Sequence, residues 1–208
     1  MSQSDIQSVH ITADTTAADP DGVCQSQTPA GGGSQTLTIN GAESSGGVAT
    51  FTAARFITIT CAGNDAGRTF TITGTDVNGS AQTETISGED IGSSTGTKYF
   101  RTVTEVAVDA NTAGAITVGM SNDALDVVYN GRMRLRGAFI VNSGTAGLVS
   151  FNDGSATGTN KLRLGTVASA TAERDVTIPD KGLLFDNGAY IPYTAGTTVF
   201  ANMTAFYA

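Results

Sequence analysis

The strongest constraint in this chain is a two-residue hydrophobic period, repeated along its length and punctuated by tight-turn residues. In "FTAARFITITC", Phe51, Ala53, Ile57, Ile59 and Cys61 share one parity. In "RTFTITGTDV", Phe70 and Ile72 fall on one side and Thr69, Thr71 and Thr73 on the other. Successive strand side chains point to opposite faces, so this period marks strands with one buried face. "QTLTIN" (Leu37, Ile39), "TKYFRTVTEVAVD" (Phe100, Val106, Val108) and "GAITVGM" (Ile116, Val118, Met120) repeat the pattern. No segment has a convincing helical period. Strand-sized runs about 8–12 residues apart, with turn signals between them, predict an all-β chain of two small β-sandwich modules, Ig-like or jelly-roll-like. The 26 glycines and the 14% of charged residues suit short strands and tight turns.

Two places strain the pattern. Arg55 shares the apolar parity of its segment, which predicts a bend or bulge near "AAR". Asn78-Gly79 is a hairpin signal. A strict two-residue loop there would pair Ile72 with Thr85 and send Ile86 to the face opposite Phe70. A longer loop, a bulge, or cover on both faces would each resolve the conflict, and the sequence leaves all three open.

Four segments follow from composition. Residues 1–34 hold few large apolar side chains and end in "TPAGGGS", a flexible stretch. They read as an extended N-terminal arm, with "SVHIT" and "DGVCQS" able to dock as edge strands; a free tail or an arm lying on a neighbouring subunit are the two forms it could take. Residues 35–121 form the N-terminal module. Residues 122–131, within "SNDALDVVYNG", read as a linker with room for one short helical turn. Residues 132–208 form the C-terminal module, whose core is small enough that oligomerisation would help it.

That second module opens on "RMRLRGAFIVN", where Met133, Leu135, Phe139 and Val141 are expected on one face and Arg132, Arg134 and Arg136 on the other. Period two would space the arginines about 6.6 Å apart in a stripe. It reads either as a solvated outer face or as a docking stripe for an acidic protein surface. The chain ends in "TTVFANMTAFYA", with Val199, Met203 and Tyr207 on one parity and Phe200 and Phe206 on the other. Apolar residues on both faces mark a strand buried between layers or packed on a partner, so these five form the candidate subunit interface.

Reaction chemistry is sparse. His10 is the single histidine, it lies in the arm, and there is no tryptophan. No catalytic grouping stands out, and the expectation is a non-enzyme with no cofactor and no metal. Asp, Asn and Gly recur together in "DPDG", "GNDAG", "FNDGS" and "FDNG". Calcium loops are oxygen-rich in this way, but none of the four has the full ligand spacing, and turn chemistry accounts for them. A net charge of −8 disfavours nucleic acid, and no apolar run approaches a membrane span. Aromatics are 7% of residues, a thin basis for a carbohydrate-binding platform. The N-terminal "MSQSDIQSVHITADTT" has neither the basic nor the apolar region of a cleavable signal, so synthesis in a cytoplasm without export by such a signal is expected. In that setting Cys24 and Cys61 read as free, partly buried thiols rather than a bridge.

Between "DGVCQSQTPAGGGSQTLTING" and "KYFRTVTEVAVDANTAGAITVG", over about residues 19–120, the chain resembles a β module of structural proteins from tailed bacteriophages. "AGNDAGRTFTITGTD" is the most specific part. The block from "GAFIVNSGTAGLVSFNDGS" to "TVFANMTAFYA" is similar to a second small phage-associated β module. The resemblance implies a virion component at the capsid surface: a head decoration (cement) protein on the major capsid protein lattice, itself a homotrimer or other small homo-oligomer. Neck, collar, tail and fibre positions are the alternatives. Such a protein needs stiff β modules, many contacts and no reaction chemistry.

Overall fold

The computed structural model describes residues 5–208. The first four residues of the expected arm lie outside them. Every regular element among the described residues is a β-strand. In chain order these are β1 (Gln7–Thr12), β2 (Asp19–Gln27), β3 (Gln35–Thr36), β4 (Ser44–Ser45), β5 (Val48–Asn64) and β6 (Thr69–Thr75). Then come β7 (Ala81–Ser87), β8 (Asp90–Thr95), β9 (Phe100–Val108), β10 (Ile116–Tyr129), β11 (Met133–Asn142) and β12 (Gly147–Asp153). The last are β13 (Thr159–Thr166), β14 (Glu173–Thr177), β15 (Leu183–Phe185), β16 (Ala189–Thr194) and β17 (Phe200–Tyr207). The all-β, sandwich-like fold expected from the two-residue period is the fold observed.

The chain divides into a central unit, Ala17–Ala124, and a terminal unit made of the residues up to Thr16 together with Leu125–Ala208. The division at Ala124/Leu125 falls within residues 122–131, the expected linker, but most of that segment is strand rather than a loop or helical turn. Asn122–Tyr129 continue strand β10, with Ala124, Leu125, Asp126 and Val128 buried. Burial of these side chains selects strand over the helical turn. "SVHIT" and "DGVCQS" of the expected arm do dock as strands, but on their own chain rather than on a neighbour: β1 pairs with β17 and β2 with β10. Edge pairing needs only backbone groups and a few anchors, here Ile11 for β1 and Val23 and Cys24 for β2, so a polar segment can be fully docked.

In the central unit, β5 organises the sheet. Its first part pairs with β9 and its second part with β8. Within the β9 pairing the register slips between Thr50 and Arg55, and Ala53, Ala54 and Arg55 are buried in succession. The bend expected at "AAR" is thus present, and it turns the strand a corner. Arg55 Nη1 donates to the Ser121 carbonyl at 2.6 Å, which helps to offset the cost of burying a guanidinium. The core gathers Phe51, Ile57, Ile59, Phe70, Ile72, Phe100, Val106 and Ile116. Each such side chain contributes about 1.5–3 kcal/mol by leaving water. Cys24 and Cys61 sit in this core as free thiols.

The hairpin conflict is settled by loop length. Phe70 pairs directly with Ile86, so both face the core. Asp76 N–H donates to the Ser80 carbonyl at 2.9 Å, and Val77, Asn78 and Gly79 make the loop, with Gly79 at φ 80°. A three-residue loop ending in a left-handed glycine shifts register by one relative to a two-residue turn. Asp76 favours it: its carboxylate accepts from the Asn78 and Ser80 N–H groups at 2.8 Å each.

The terminal unit is a two-layer sandwich. One sheet runs β1-β17-β11-β14, with β15 also on β11; the other contains β13, β12, β16 and the end of β10. Between them lie Ile11, Val128, Leu135, Ile140, Phe151, Phe185, Ile191, Phe200 and Met203. The expected faces of β11 hold only to Leu135. The register slips between Leu135 and Gly137, so Ala138 and Ile140 turn inward and Phe139 and Val141 turn outward. A side chain at Gly137 would meet the Val176 carbonyl at 2.7 Å, so glycine permits this bulge.

Candidate functional site

The outer face of the β1-β17-β11-β14 sheet is a candidate contact surface of the terminal unit. The register sets His10, Thr204, Phe139 and Asp175 in one cross-strand row. Phe206 lies between Ser8 and Gly137 in the next. Phe206 is 38% exposed, Phe139 and Val141 are half-buried, and His10 Nδ1 lies 3.4 Å from Thr204 Oγ1. The face is thus an apolar strip with polar neighbours.

The three arginines do not act alike. Arg134 and Arg136 alternate with buried Met133 and Leu135, as the stripe requires. Arg134 Nη1 donates to the Gly182 carbonyl at 3.4 Å, so part of its hydrogen-bonding capacity is spent within the chain. Arg132 precedes β11; its side chain is 67% exposed and its Nε lies 3.6 Å from Asp186 Oδ1. At that exposure the pair adds little stability.

The expected subunit interface is largely internal. Phe200 and Met203 are buried in the core of the terminal unit, and Val199 and Tyr207 pack partly against it. A register slip between Val141 and Asn142, opposite Asn202 and Phe200, turns both parities inward. The two-faced apolar pattern marks an interior strand with β1 and β11 on its edges. Of the five residues, Phe206 alone belongs to the outer face.

Carboxylates tie the Asp-Gly loops, within one loop at Asp19 and between two loops at Asp153. Asp153 accepts from the Asn187 N–H at 2.8 Å and the Asp186 N–H at 3.2 Å, with Lys161 Nζ at 3.5 Å. Partial burial opposes ionisation of Asp153, but these donors prevail and hold its carboxyl below the usual range. Asp21 goes the other way: a hydrogen bond that only its protonated carboxyl can donate to Asp19, then burial and the Asp19 charge, raise it. Among the described residues, no three His, Cys, Asp or Glu side chains are grouped to hold a metal ion.

One further site was not anticipated. Where the terminal sandwich opens at one end, Tyr129 of β10 stacks on Tyr207 of β17, with centroids 5.4 Å apart and planes at 29°. Beside them Asp5, Gln7, Arg132 and Met133 line a cavity of about 220 Å³. Tyr129 keeps 43% exposure. Its segment reads as a linker from sequence alone, and Gln7 and Tyr207 meet it only through long-range strand pairing, so no local signal marks the site.

No protein-family model matches the chain, and no curated protein matches it.

Proposed function

We propose that this protein is a structural component of a tailed-phage virion, a head decoration (cement) protein that binds the major capsid protein lattice and stabilises the head. The observation that carries the contact part of this reading is the outer face of the β1-β17-β11-β14 sheet. It joins Phe139, Val141 and Phe206 to Arg134 and Arg136 on one rigid surface. A strip of this kind suits a flat contact repeated many times, because the sheet backbone is held from both chain ends and orders little on binding. The resemblance of residues 19–120 to a phage structural module supplies the partner. Self-association through the same exposed Phe206 is part of the proposal.

The test is copy number in purified virions, by quantitative mass spectrometry against the major capsid protein. Hundreds of copies in a simple lattice ratio support decoration. About a dozen or fewer move the protein to the neck, collar, tail or fibre. Absence from virions overturns the proposal.

A further inference from the structure

The open end of the terminal sandwich has the chemistry of a small sugar site. Its aromatic wall is Tyr129, exposed on one face and backed by Tyr207 at 5.4 Å. The backing stiffens the ring, so a ligand that stacks on it orders little. Around the wall stand planar polar groups of both kinds. The Arg132 guanidinium donates, the Asp5 carboxylate accepts, and the Gln7 amide does both. Met133 lines the apolar part.

The local sequence builds this arrangement. Asn130-Gly131 turns β10 into β11 and brings Arg132 back beside Tyr129. Gly131 has φ 141°, and a Cβ there would meet Tyr129 Cε1 at 3.1 Å. Arg132 stands at the rim, with Asp186 beside its Nε.

Ligand classes can be separated on these groups. An anion would meet Arg132 but also Asp5, with Asp186 already beside the guanidinium, on a chain of net charge −8. A cation would meet Arg132. A large apolar ligand would not fit, since pockets for drug-sized molecules begin at about 300 Å³. A pyranose ring matches: its C–H face covers an aromatic ring, and its hydroxyls both donate and accept.

We propose that the cavity lined by Tyr129, Tyr207, Arg132, Asp5 and Gln7 binds a single neutral pyranose, as the terminal residue of a glycan. This goes beyond the structural role, and the two readings stand or fall separately, since one is read from virion copy number and the other from the purified chain.

The experiment is saturation-transfer NMR on the full-length protein with the methyl glycosides of glucose, galactose, mannose and N-acetylglucosamine. At least one should show transfer to its ring C–H protons. Tyr129→Ala should weaken that binding about tenfold, the scale of one lost aromatic stack. Tyr129→Phe should keep it, and Arg132→Ala should weaken it. A two-dimensional amide spectrum of each variant confirms the fold. No transfer from any of the four glycosides, undiminished transfer in Tyr129→Ala, or displacement by inorganic phosphate alone would overturn the proposal.

Discussion

The hydroxyl of Tyr193 donates a 2.8 Å hydrogen bond to Asp126 Oδ2. The Tyr193 hydroxyl oxygen in turn accepts the backbone N–H of Asp14 at 3.0 Å. One side chain on β16 thereby ties the segment after β1 to β10, inside the terminal unit.

Tyr193→Phe should destabilise the protein by about 1–3 kcal/mol, because it removes the hydroxyl that accepts the Asp14 N–H and donates to Asp126. Urea denaturation measures this. Burial first, and the Asp126 charge second, push the Tyr193 hydroxyl well above the usual tyrosine range. The same direction holds for Cys24, which burial pushes up to about 12. Tyr99 reaches about 12 through burial and then the Asp123 charge. The folded state therefore holds these protons more tightly than the unfolded chain. Their contribution is complete below the unfolded values, about 8.5 for cysteine and 10 for tyrosine, and is lost as pH rises toward the folded ones. Stability should fall above about pH 9, and Tyr193→Phe with Cys24→Ala should flatten that fall. A flat profile in the parent protein to pH 11 would contradict the argument.

Glu84 is a buried carboxylate on β7 that holds the loop before β9. Oε1 accepts the Thr97 N–H at 2.6 Å, the Thr97 hydroxyl at 3.0 Å and the Lys98 N–H at 3.2 Å. Glu84→Ala should cost about 3 kcal/mol and accelerate hydrogen exchange at the Thr97 and Lys98 amides. Exchange at those amides matching the parent would show that the loop does not depend on the carboxylate.

Two glycines should behave oppositely on substitution by alanine. A Cβ at Gly74 would lie 1.9 Å from the Thr102 carbonyl oxygen, where β6 and β9 slip register. Backbone must move, so Gly74→Ala should lose about 2 kcal/mol or more. Gly165 on β13 has nothing within 4 Å of that position. Gly165→Ala should be neutral or gain up to about 1 kcal/mol, through a less flexible unfolded chain. Thermal melts of the two variants side by side check the ordering.

Phe206→Asp places a charge on the outer face without touching the core. The circular dichroism spectrum should stay unchanged, while under the proposed capsid contact co-sedimentation with empty heads falls about tenfold or more, the scale of an apolar anchor lost from an interface. Met203→Asp would be an unsuitable probe, because Met203 is fully buried and its loss unfolds the unit. Unchanged co-sedimentation of Phe206→Asp would remove this face from the account of capsid binding.

Much of the fold was legible because its signals are local. Alternation in Phe51–Cys61 and Phe70–Thr73, the Asn78-Gly79 turn and the bend at Arg55 each depend on residues within one strand or one turn. The faces failed where a single residue intervened. Gly137 flips the parity of β11, and the slip near Asn202 does the same for β17. A bulge costs one residue and leaves no mark in hydrophobic period until the partner strand is known. Of the expected contact residues, Arg134, Arg136 and Phe206 lie on the outer face, whereas Phe200 and Met203 do not.

Sequence by itself determined the strand content, the turn positions and the lack of a helical stretch, since a two-residue period and left-handed glycines are properties of the chain's nearest neighbours. Tertiary structure alone decided which strands meet. His10 faces Thr204 across 194 positions of sequence, and that pairing makes an apparent arm the edge of the last sheet. The cavity beside Tyr129 and Tyr207 comes from the same long-range closure. Backbone hydrogen bonds that join β1 to β17 are the same for any residues at those positions, so only burial of a few anchors such as Ile11 selects the partner.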